Sequence, residues 1–371
     1  MSDNGFQDVG LGWLEGGGAH SDIVLSTRVR LARNLQGHAF ASRVRDGERE
    51  EILDLVRAAV QETALSGGVG YELSSTPTLG RRLLHERHLV SRELAGLSGD
   101  SPARGSGLFM GAHDAVGVMV NEEDHLRMQA ILSGLRLHEA FHRVDELDEE
   151  LGLQLPFAYH QEYGYLTSCP TNVGTGLRAS ILIHLPGLVL TKEIGKVLQG
   201  IGQVGLTFRG LYGEGSEVVG NFFQISNQTT LGKSEEDLVE HLQKIVGRVI
   251  QYEMGAREIL MRDAPTVIED KIWRAYGLLR YARSLSFDEV MNLLSGVRLG
   301  MSMNLLSGLR VYTLNKLMIF ARDAHLEQAA GRPLRDAESD LHRAAYVRRV
   351  LATEGDVSAD AVDAQDDQET S

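Results

Sequence analysis

The 371-residue sequence is 43% hydrophobic and 24% charged, values typical of a soluble globular protein with room for two domains. Its net charge of −14 argues against a general nucleic-acid binder, and half of that excess lies in residues 353–371, which carry seven acids and no Lys or Arg. A single cysteine, the lack of a basic-then-apolar leader and the lack of a long apolar run predict a cytoplasmic protein without a disulfide framework or membrane span.

The first half of the chain begins with a glycine-rich stretch, residues 1–20, which we expect to be a flexible lead-in. Basic and apolar side chains then alternate, so that Arg28 and Arg30 would point to one face of an extended segment. A solvated edge strand is the alternative to a binding site there. The further elements predicted from apolar spacing are a helix over 46–65, a strand over 115–120, and a helix that follows Arg127 and runs to about Leu151.

In the second half, strands and helices alternate up to about residue 260, and the pattern is purely helical after that. The predicted strands are 165–168, 179–185, 206–209 and 218–226, and the predicted helices are 187–202, a long helix capped by Ser234, 265–284, 287–294, 311–330 and 336–351. The change predicts a mixed domain over 21–262 and a helical domain over 263–352. The acidic tail, 353–371, is expected to be disordered.

The stretch from Cys169 to Ser180 gathers unusual features in few residues. Its Gly174-Thr175-Gly176 turn could let backbone N–H groups approach an anion. Arg178 adds a planar charged fork suited to phosphate oxygens. The thiol of Cys169 could be a thiolate if nearby cations lower its pKa. The stretch therefore predicts an anion-binding site that lies beside a potentially charged thiol.

Other chemical motifs are weaker. His138-Glu139-Ala140-Phe141-His142 matches the HExxH zinc-peptidase pattern, but no second motif supplies a third ligand. Gly232-Lys233-Ser234 resembles the end of a P-loop, but the first glycine of that motif is replaced by Asn227, so Ser234 is better read as a helix cap. The protein-kinase signatures are absent from the sequence.

Arginines recur beside predicted turns or strand ends at positions 28, 30, 127, 178 and 209. Converging guanidinium groups could neutralise a triphosphate without a P-loop lysine, and Mg²⁺ would then be held mainly by phosphates and water, with no protein metal site. Glu123 and Glu214 could orient a guanidinium and accept its proton, which is the positioning that phosphoryl transfer requires. The alternative is that these glutamates merely pair with the arginines.

These residues resemble the signatures of the phosphagen (guanidino) kinases in four separated blocks that follow the family's order. The blocks are 26–30, 121–127, 169–180 and 209–227, and the likeness covers about residues 20–260. The resemblance implies an α+β fold in which an antiparallel β-sheet is flanked by helices in the glutamine-synthetase-like manner. It also implies catalytic roles for Glu123, Glu214 and Cys169, and ATP binding by Ser26, Thr27, Arg28, Val29, Arg30, His88, Arg127, Arg178, Ala179, Ser180, Ile181, Leu182, Arg209, Gly210, Leu211, Tyr212 and Gly213.

Three departures from the small-molecule members point to a subfamily. Only a short segment precedes Arg28, Leu182 and Gln224 replace a histidine and an aspartate, and a helical C-terminal domain is added. These features resemble the bacterial protein-arginine kinases of the McsB type, whose substrate is an arginine side chain of a protein. The resemblance implies ATP and Mg²⁺ as cofactors and a homodimer formed through the C-terminal helices. It further implies a zinc-containing activator, a stress-response repressor as substrate, and a Clp protease that receives tagged proteins.

The subfamily also has an RDxxRA motif that binds phosphoarginine and regulates activity. The equivalent segment here runs from Ser339 to Ala344, so a serine replaces the leading arginine. Asp340 could still bind a guanidinium and Arg343 a phosphate, but we expect the allosteric response to be weaker or lost. Three other functions remain open from the sequence: a phosphagen kinase that acts on free arginine, a catalytically silent adaptor that binds tagged proteins, and an HExxH zinc peptidase.

Overall fold

The computed structural model describes residues 11–40, 43–99, 101–111, 115–210 and 219–354. The strands in these ranges are β1 (Val24–Arg33), β2 (Val69–Glu72), β3 (Gly107–Met110), β4 (Val116–Val120), β5 (Leu126–Ser133), β6 (Tyr159–His160), β7 (Gly164–Tyr165), β8 (Leu177–His184), β9 (Leu206–Gly210) and β10 (Phe222–Asn227). The α-helices are α1 (Asp46–Val60), α2 (Thr78–Glu86), α3 (Leu137–Gly152), α4 (Pro186–Leu190), α5 (Ile194–Gln203), α6 (Glu235–Asp263), α7 (Pro265–Tyr281), α8 (Phe287–Ser302), α9 (Val311–Phe320), α10 (Asp323–Ala330) and α11 (Asp336–Glu354).

An eight-stranded sheet organises the molecule, in the order β2-β3-β4-β5-β1-β8-β10-β9. Neighbouring strands are antiparallel throughout. Strand β1 is central because it pairs with β5 on one side and β8 on the other. The expected antiparallel sheet with flanking helices is therefore confirmed.

The two faces of the sheet differ because side chains alternate along each strand. Val29 and Leu31 of β1 are fully buried in a large core that includes residues of α1, α3 and α6. Arg28 and Arg30 are less buried and belong to the opposite face. The alternation of Arg and apolar residues in the sequence thus decides which face is packed and which is open to a ligand.

Helices α7 to α11 form the C-terminal region, which packs against one end of the sheet. Their core includes Leu25 from β1 and Phe222 from β10. Helix α6 ends at Asp263, and Pro265 occupies the first turn of α7. Proline is favoured there because an N–H group in the first turn has no carbonyl partner within the helix.

Ser234 caps α6, as the sequence predicts. Its hydroxyl accepts a hydrogen bond from the N–H of Asp237 at 3.1 Å, and the Asp237 carboxylate accepts one from the Ser234 N–H at 3.3 Å. This reciprocal capping box satisfies amide groups that the first helical turn leaves unpaired. No helix in the described ranges is long and apolar enough to cross a membrane.

The structure differs from the sequence predictions at several places. The helix expected over 187–202 is divided into α4 and α5, and the strand expected over 165–168 is the two-residue β7. The helix expected after Arg127 is instead β5 followed by α3, and the helix expected over 311–330 breaks between α9 and α10. The lead-in is packed from residue 11 onward: Trp13 and Leu14 are buried against Ile131 and Ile319. The predicted flexible segment therefore contributes to the folded structure within its described part.

His184 is fully buried where β8 meets α8. Its Nε2 lies 2.8 Å from the hydroxyl of Ser295, and its ring packs on Phe222 with centroids 4.7 Å apart. Burial, reinforced by the charges of Arg298 and Arg257, holds the pKa of His184 well below its ordinary value. The folded protein therefore keeps this imidazole neutral where the unfolded chain would protonate it.

We expect the free energy of unfolding to fall as the pH drops below about 6.5, because His184 is then protonated in the unfolded chain but stays neutral in the folded protein. The loss from one such group approaches about 1.4 kcal/mol per pH unit below that point. Urea unfolding between about pH 7.5 and about pH 5.5 measures it. His184→Gln keeps a polar partner for Ser295 but does not titrate, so its pH slope should be shallower. An identical slope would contradict this role.

Candidate active site

A cleft of about 1420 Å³ lies on the open face of the sheet. It gathers most of the charged residues that the sequence singles out, together with carboxylates from the β4–β5 turn. The predicted residues that line it are Arg28, Arg30, Glu123, Arg127, Cys169, Arg178, Arg209 and Gly210. Segments that are far apart in the sequence thus converge on one cavity.

Strand register explains why the arginines meet. Arg30 of β1 lies directly opposite Arg178 of β8, and Arg28 lies opposite Ser180. Arg209 of the edge strand β9 lies opposite Gln224 of β10. Residues directly opposite each other in an antiparallel pair project to the same face. Their guanidinium groups therefore share the cleft side of the sheet.

This crowding is electrostatically costly without an anion. Burial lowers the pKa of Arg28 to about 10, and the charge of Arg127 adds to the effect. Burial, then Arg127, Arg28 and Arg178, lowers the pKa of Arg30 well below its ordinary value. The Nε atoms of both residues are buried and have no hydrogen-bond partner within the described part of the chain. Such an arrangement suits an incoming group with several negative oxygens.

The β4–β5 turn places consecutive acids in different environments. Glu122 forms an ion pair with Arg127 at the cleft wall. Burial opposes ionisation of Glu122, but the charge of Arg127 and a hydrogen bond from Ser91 hold its pKa below the ordinary value. Glu123 is exposed to the cleft, and the buried Asp124 accepts hydrogen bonds that anchor the turn. Only Glu123 of the three is thus open to a substrate.

Asn121 shapes this turn. Its backbone adopts φ +57°, in the left-handed region that asparagine tolerates better than most residues. Its side-chain amide donates to the carbonyl oxygens of Arg49 at 2.9 Å and Gly105 at 2.8 Å. The carboxylates that follow are therefore fixed relative to α1 and to the loop before β3.

Cys169 lies beside the same cleft, half-buried, with its Sγ 3.0 Å from the hydroxyl of Thr171. The hydroxyl of Thr230 donates to the carbonyl oxygens of Thr171 and Val173 and so holds the loop in place. The N–H of Ser168 donates to Asp124 at 2.6 Å. Asp124 thereby ties the thiol-bearing loop to the turn that carries Glu123.

The Gly-Thr-Gly turn has a different role from the one expected. The N–H of Gly174 donates to Tyr165 O at 3.2 Å, and that of Thr175 donates to Thr230 O at 3.1 Å. A Cβ atom on Gly174 would lie 2.4 Å from Thr230 O, at a φ of +111°. The turn therefore needs glycine for close backbone packing. Both amide N–H groups already donate hydrogen bonds within the protein, so these two groups do not bind an anion as the sequence suggested.

A smaller compartment of about 40 Å³ adjoins the arginines. Ser26, His88, Ser180 and Leu182 line it, as does Trp13. Burial, then the charges of Arg322 and Arg28, keeps the pKa of His88 well below its ordinary value. Arg28 lines it too, so the compartment is continuous with the arginine face of the cleft and places the His88 ring beside that face.

Several predicted residues do not reach the cleft with their side chains. Val29, Ala179 and Ile181 belong to the core on the opposite face, and the Thr27 hydroxyl donates to Gly134 O at 2.6 Å. Glu214, Leu211, Tyr212 and Gly213 lie outside the described residues.

Asp340 and Arg343 lie in α11, in the C-terminal region. Arg343 is 2% exposed and donates to Asp340, Asp323 and the carbonyl oxygens of Ala321 and Leu285. Its guanidinium is thus engaged within the protein.

The HExxH segment does not form a metal centre. His142 is exposed and lies 3.4 Å from Glu146, while Glu139 is held by Arg136 and Arg143. No group of three or more metal-ligating side chains occurs within the described ranges. The glutamate that a zinc peptidase would use as its base is therefore committed to ion pairs.

Sequence reasoning missed Glu122, Arg49, Glu93 and Gln129. Glu122 is adjacent to the predicted Glu123, so its place in the 121–127 block was a sequence signal that could have revealed it. Gln129 accepts a hydrogen bond from Arg28 at 2.5 Å, and Arg49 and Glu93 line the cleft. Arg49 belongs to α1 and Glu93 to a loop after α2, and neither lies in a motif that would reveal it.

This fold, with its cationic cleft and facing carboxylates, defines a phosphotransferase of the guanidino kind. Residues 51–256 match the model of the ATP:guanido phosphotransferase C-terminal catalytic domain, and residues 265–366 match that of the protein-arginine kinase McsB C-terminal domain. The chain therefore belongs to the ATP:guanido phosphotransferase family, in its protein-arginine kinase branch, and is a kinase.

Relatives support the same grouping. The chain is 45% identical to the protein-arginine kinase of Moorella thermoacetica over 92% of its own length and 97% of that protein. It is 44% identical to the protein-arginine kinase of Symbiobacterium thermophilum over 92% and 96%. Among solved structures, a lombricine kinase is similar with a TM-score of 0.56 and 25% identity, covering 67% of this chain and 70% of that one.

Proposed function

We propose that this kinase transfers the γ-phosphoryl group of ATP to a guanidino nitrogen of arginine side chains in proteins. The observation that carries the proposal is the cleft, in which crowded arginines, with Arg30 buried beside Arg28, Arg127 and Arg178, face Glu123 and Cys169. The likeness to proteins named protein-arginine kinase supports the choice of substrate. The open cleft is compatible with a target that remains attached to a polypeptide.

In this proposal, Arg28, Arg30, Arg127, Arg178 and Arg209 bind the triphosphate. Mg²⁺ would be coordinated by phosphate oxygens and water and would neutralise part of their charge. The adenine would lie against His88, beside Arg28. The arginines would then fix the γ-phosphorus in line with the acceptor nitrogen, which is the main requirement for phosphoryl transfer.

Glu123, with Glu214 as its expected partner, would bind the substrate guanidinium and fix one nitrogen toward the phosphorus. A guanidinium is a poor nucleophile because its positive charge is delocalised. Transfer forms the N–P bond, breaks the bond from the γ-phosphorus to the bridging oxygen of ADP, and moves one guanidinium proton to the Glu123 carboxylate. Cys169 would position the guanidinium electrostatically and form no covalent intermediate.

The wider setting follows from the same likeness. We propose a cytoplasmic homodimer that uses the C-terminal helices, where Leu278 and Tyr281 of α7 are exposed. A zinc-containing activator, a stress-response repressor as substrate and a Clp protease for the tagged proteins complete the proposal. Asp340 and Arg343 are the candidate phosphoarginine pair. Because Arg343 is already engaged, we expect a weak or absent allosteric response.

Incubation with ATP and casein tests the function. We expect acid-labile phosphate on the protein, because a phosphorus–nitrogen bond to a guanidino group hydrolyses in acid. Glu123→Ala should abolish the label, whereas Glu146→Ala, at an exposed position of α3, should retain it. Acid-stable label would indicate another acceptor, and label on free arginine alone would favour a phosphagen kinase. ATP binding without turnover would favour a silent adaptor.

A further inference from the structure

The C-terminal region contacts the catalytic domain through a buried polar junction between α10 and α2. Glu86, the last residue of α2, is 7% exposed. One of its carboxylate oxygens accepts a hydrogen bond from the N–H of Ala324 at 3.0 Å, and the other lies 2.9 Å from Nδ1 of His325. A carboxylate from one domain is thus satisfied by the first turn of a helix from the other.

The hydrogen bonds define the protonation state of His325. Arg87 donates through Nε to Nε2 of His325 at 3.3 Å, so Nε2 accepts and the ring proton resides on Nδ1, facing Glu86. Burial keeps the pKa of His325 below its ordinary value. Burial would raise the pKa of Glu86, but the hydrogen bond from His325 outweighs it, together with the charge of Arg322. A neutral imidazole therefore donates to an ionised carboxylate.

The junction lies immediately before the wall of the smaller compartment. His88, two residues after Glu86, has φ +63° and lines that compartment, and its ring contacts Trp13 with centroids 5.9 Å apart. A histidine in the left-handed region is strained and persists only when its surroundings fix it. The Glu86–His325 contact is one of the restraints that hold this turn.

The same turn touches the cleft arginines on its other side. Leu89 O accepts a hydrogen bond from the side-chain amide of Gln129 at 3.0 Å. The amide oxygen of Gln129 in turn accepts from Arg28 at 2.5 Å. The turn from Glu86 to Leu89 is therefore held by α10 on one side and bonded to a cleft-lining arginine network on the other.

We propose that His325 and Glu86 are positioning residues for nucleotide binding, so that the C-terminal domain completes the ATP site by fixing the His88 turn. Neither residue lines the cleft or the compartment. They act through the backbone that carries His88 and Leu89. The inference rests on the proposed function in that it assigns His88, beside Arg28, to nucleotide contact.

His325→Leu tests the proposal. It removes the donor to Glu86 while keeping an apolar side chain in the buried site. We expect the KM for ATP to rise about tenfold, the size of effect that loss of one hydrogen bond to a charged group produces, with kcat at saturating ATP almost unchanged. His325→Asn, whose amide can donate from nearly the Nδ1 position, should recover most of the affinity.

Trp13 provides a direct binding signal because its ring contacts His88. Of the two tryptophans in the chain, Trp273 lies in α7, so Trp273→Phe isolates the signal of Trp13. ATP titration followed by fluorescence should then give the same affinity loss without any phosphotransfer assay.

Arg82→Gln is the matched control, since it removes the Arg82–Glu327 ion pair between the same two helices, at a more exposed position. We expect its ATP affinity to equal that of the wild type. If Arg82→Gln and His325→Leu lost the same ATP affinity, the junction would matter only for general packing between the domains, and the proposal would be overturned. Unchanged ATP affinity in His325→Leu would also overturn it. A wild type that binds ATP but labels no protein would refute the proposed function and leave this inference standing, whereas a wild type that binds no ATP would refute both.

Discussion

Arg30→Met should lower the phosphotransfer activity about 10³-fold and at the same time stabilise the ligand-free protein. Arg30 lies opposite Arg178 and close to Arg28 and Arg127, and its buried Nε has no hydrogen-bond partner within the described ranges. Without a nucleotide, this charge is desolvated and repelled by its neighbours. Methionine fills a similar volume without the charge, so the free energy of unfolding should rise by roughly 1–2 kcal/mol.

Activity should change in the opposite direction. Loss of one preorganised charge that faces the transferring phosphoryl group costs about 10³-fold in kcat/KM for ATP. Steady-state kinetics and urea unfolding without nucleotide measure the two effects on the same preparation. Arg143→Met, which removes a half-exposed arginine of α3 that pairs with Glu139, should leave both nearly unchanged. If Arg30→Met destabilised the ligand-free protein, Arg30 would be held by protein contacts, and the cleft would not be poised for an anion.

The alternation in β1 allowed the cleft face to be predicted from the sequence. Arg28 and Arg30 share one face, whereas Arg33 has the opposite parity and forms a buried ion pair with Asp148 at 2.6 Å. The pairing of Arg30 with Arg178 could not be predicted from spacing, because register between distant strands depends on the packing of the whole sheet. The resemblance to a family supplied what local pattern could not.

Elsewhere the local pattern was ambiguous. Residues 128–132 form an almost continuous apolar run, which suits a buried strand or a buried helix equally well, so the sequence predicts a helix where β5 lies. The roles of Glu122 and Glu123 also depended on a tertiary contact. Both stand in the same block, and only the ion pair with Arg127 separates them.

Substitution of these adjacent glutamates should therefore affect different kinetic constants. Glu123 is exposed to the cleft and is the proposed proton acceptor, so Glu123→Gln should lower kcat by about 10³-fold, within the range for loss of a general base. Its KM for ATP should change less than its kcat, because Glu122, and not Glu123, forms the ion pair with Arg127. Stopped-time assays at saturating ATP and protein substrate measure kcat directly.

Glu122→Gln should act mainly on nucleotide binding. The amide can still accept a hydrogen bond from Arg127, but the ion pair that orients that arginine is lost. We expect the KM for ATP to change about fivefold, which corresponds to roughly 1 kcal/mol, and kcat to fall far less than in Glu123→Gln. Glu146→Gln, at an exposed position of α3, is the charge-matched control. If the two adjacent variants lost kcat equally, the carboxylates would act as one unit, and the assignment of the proton to Glu123 would have to be abandoned.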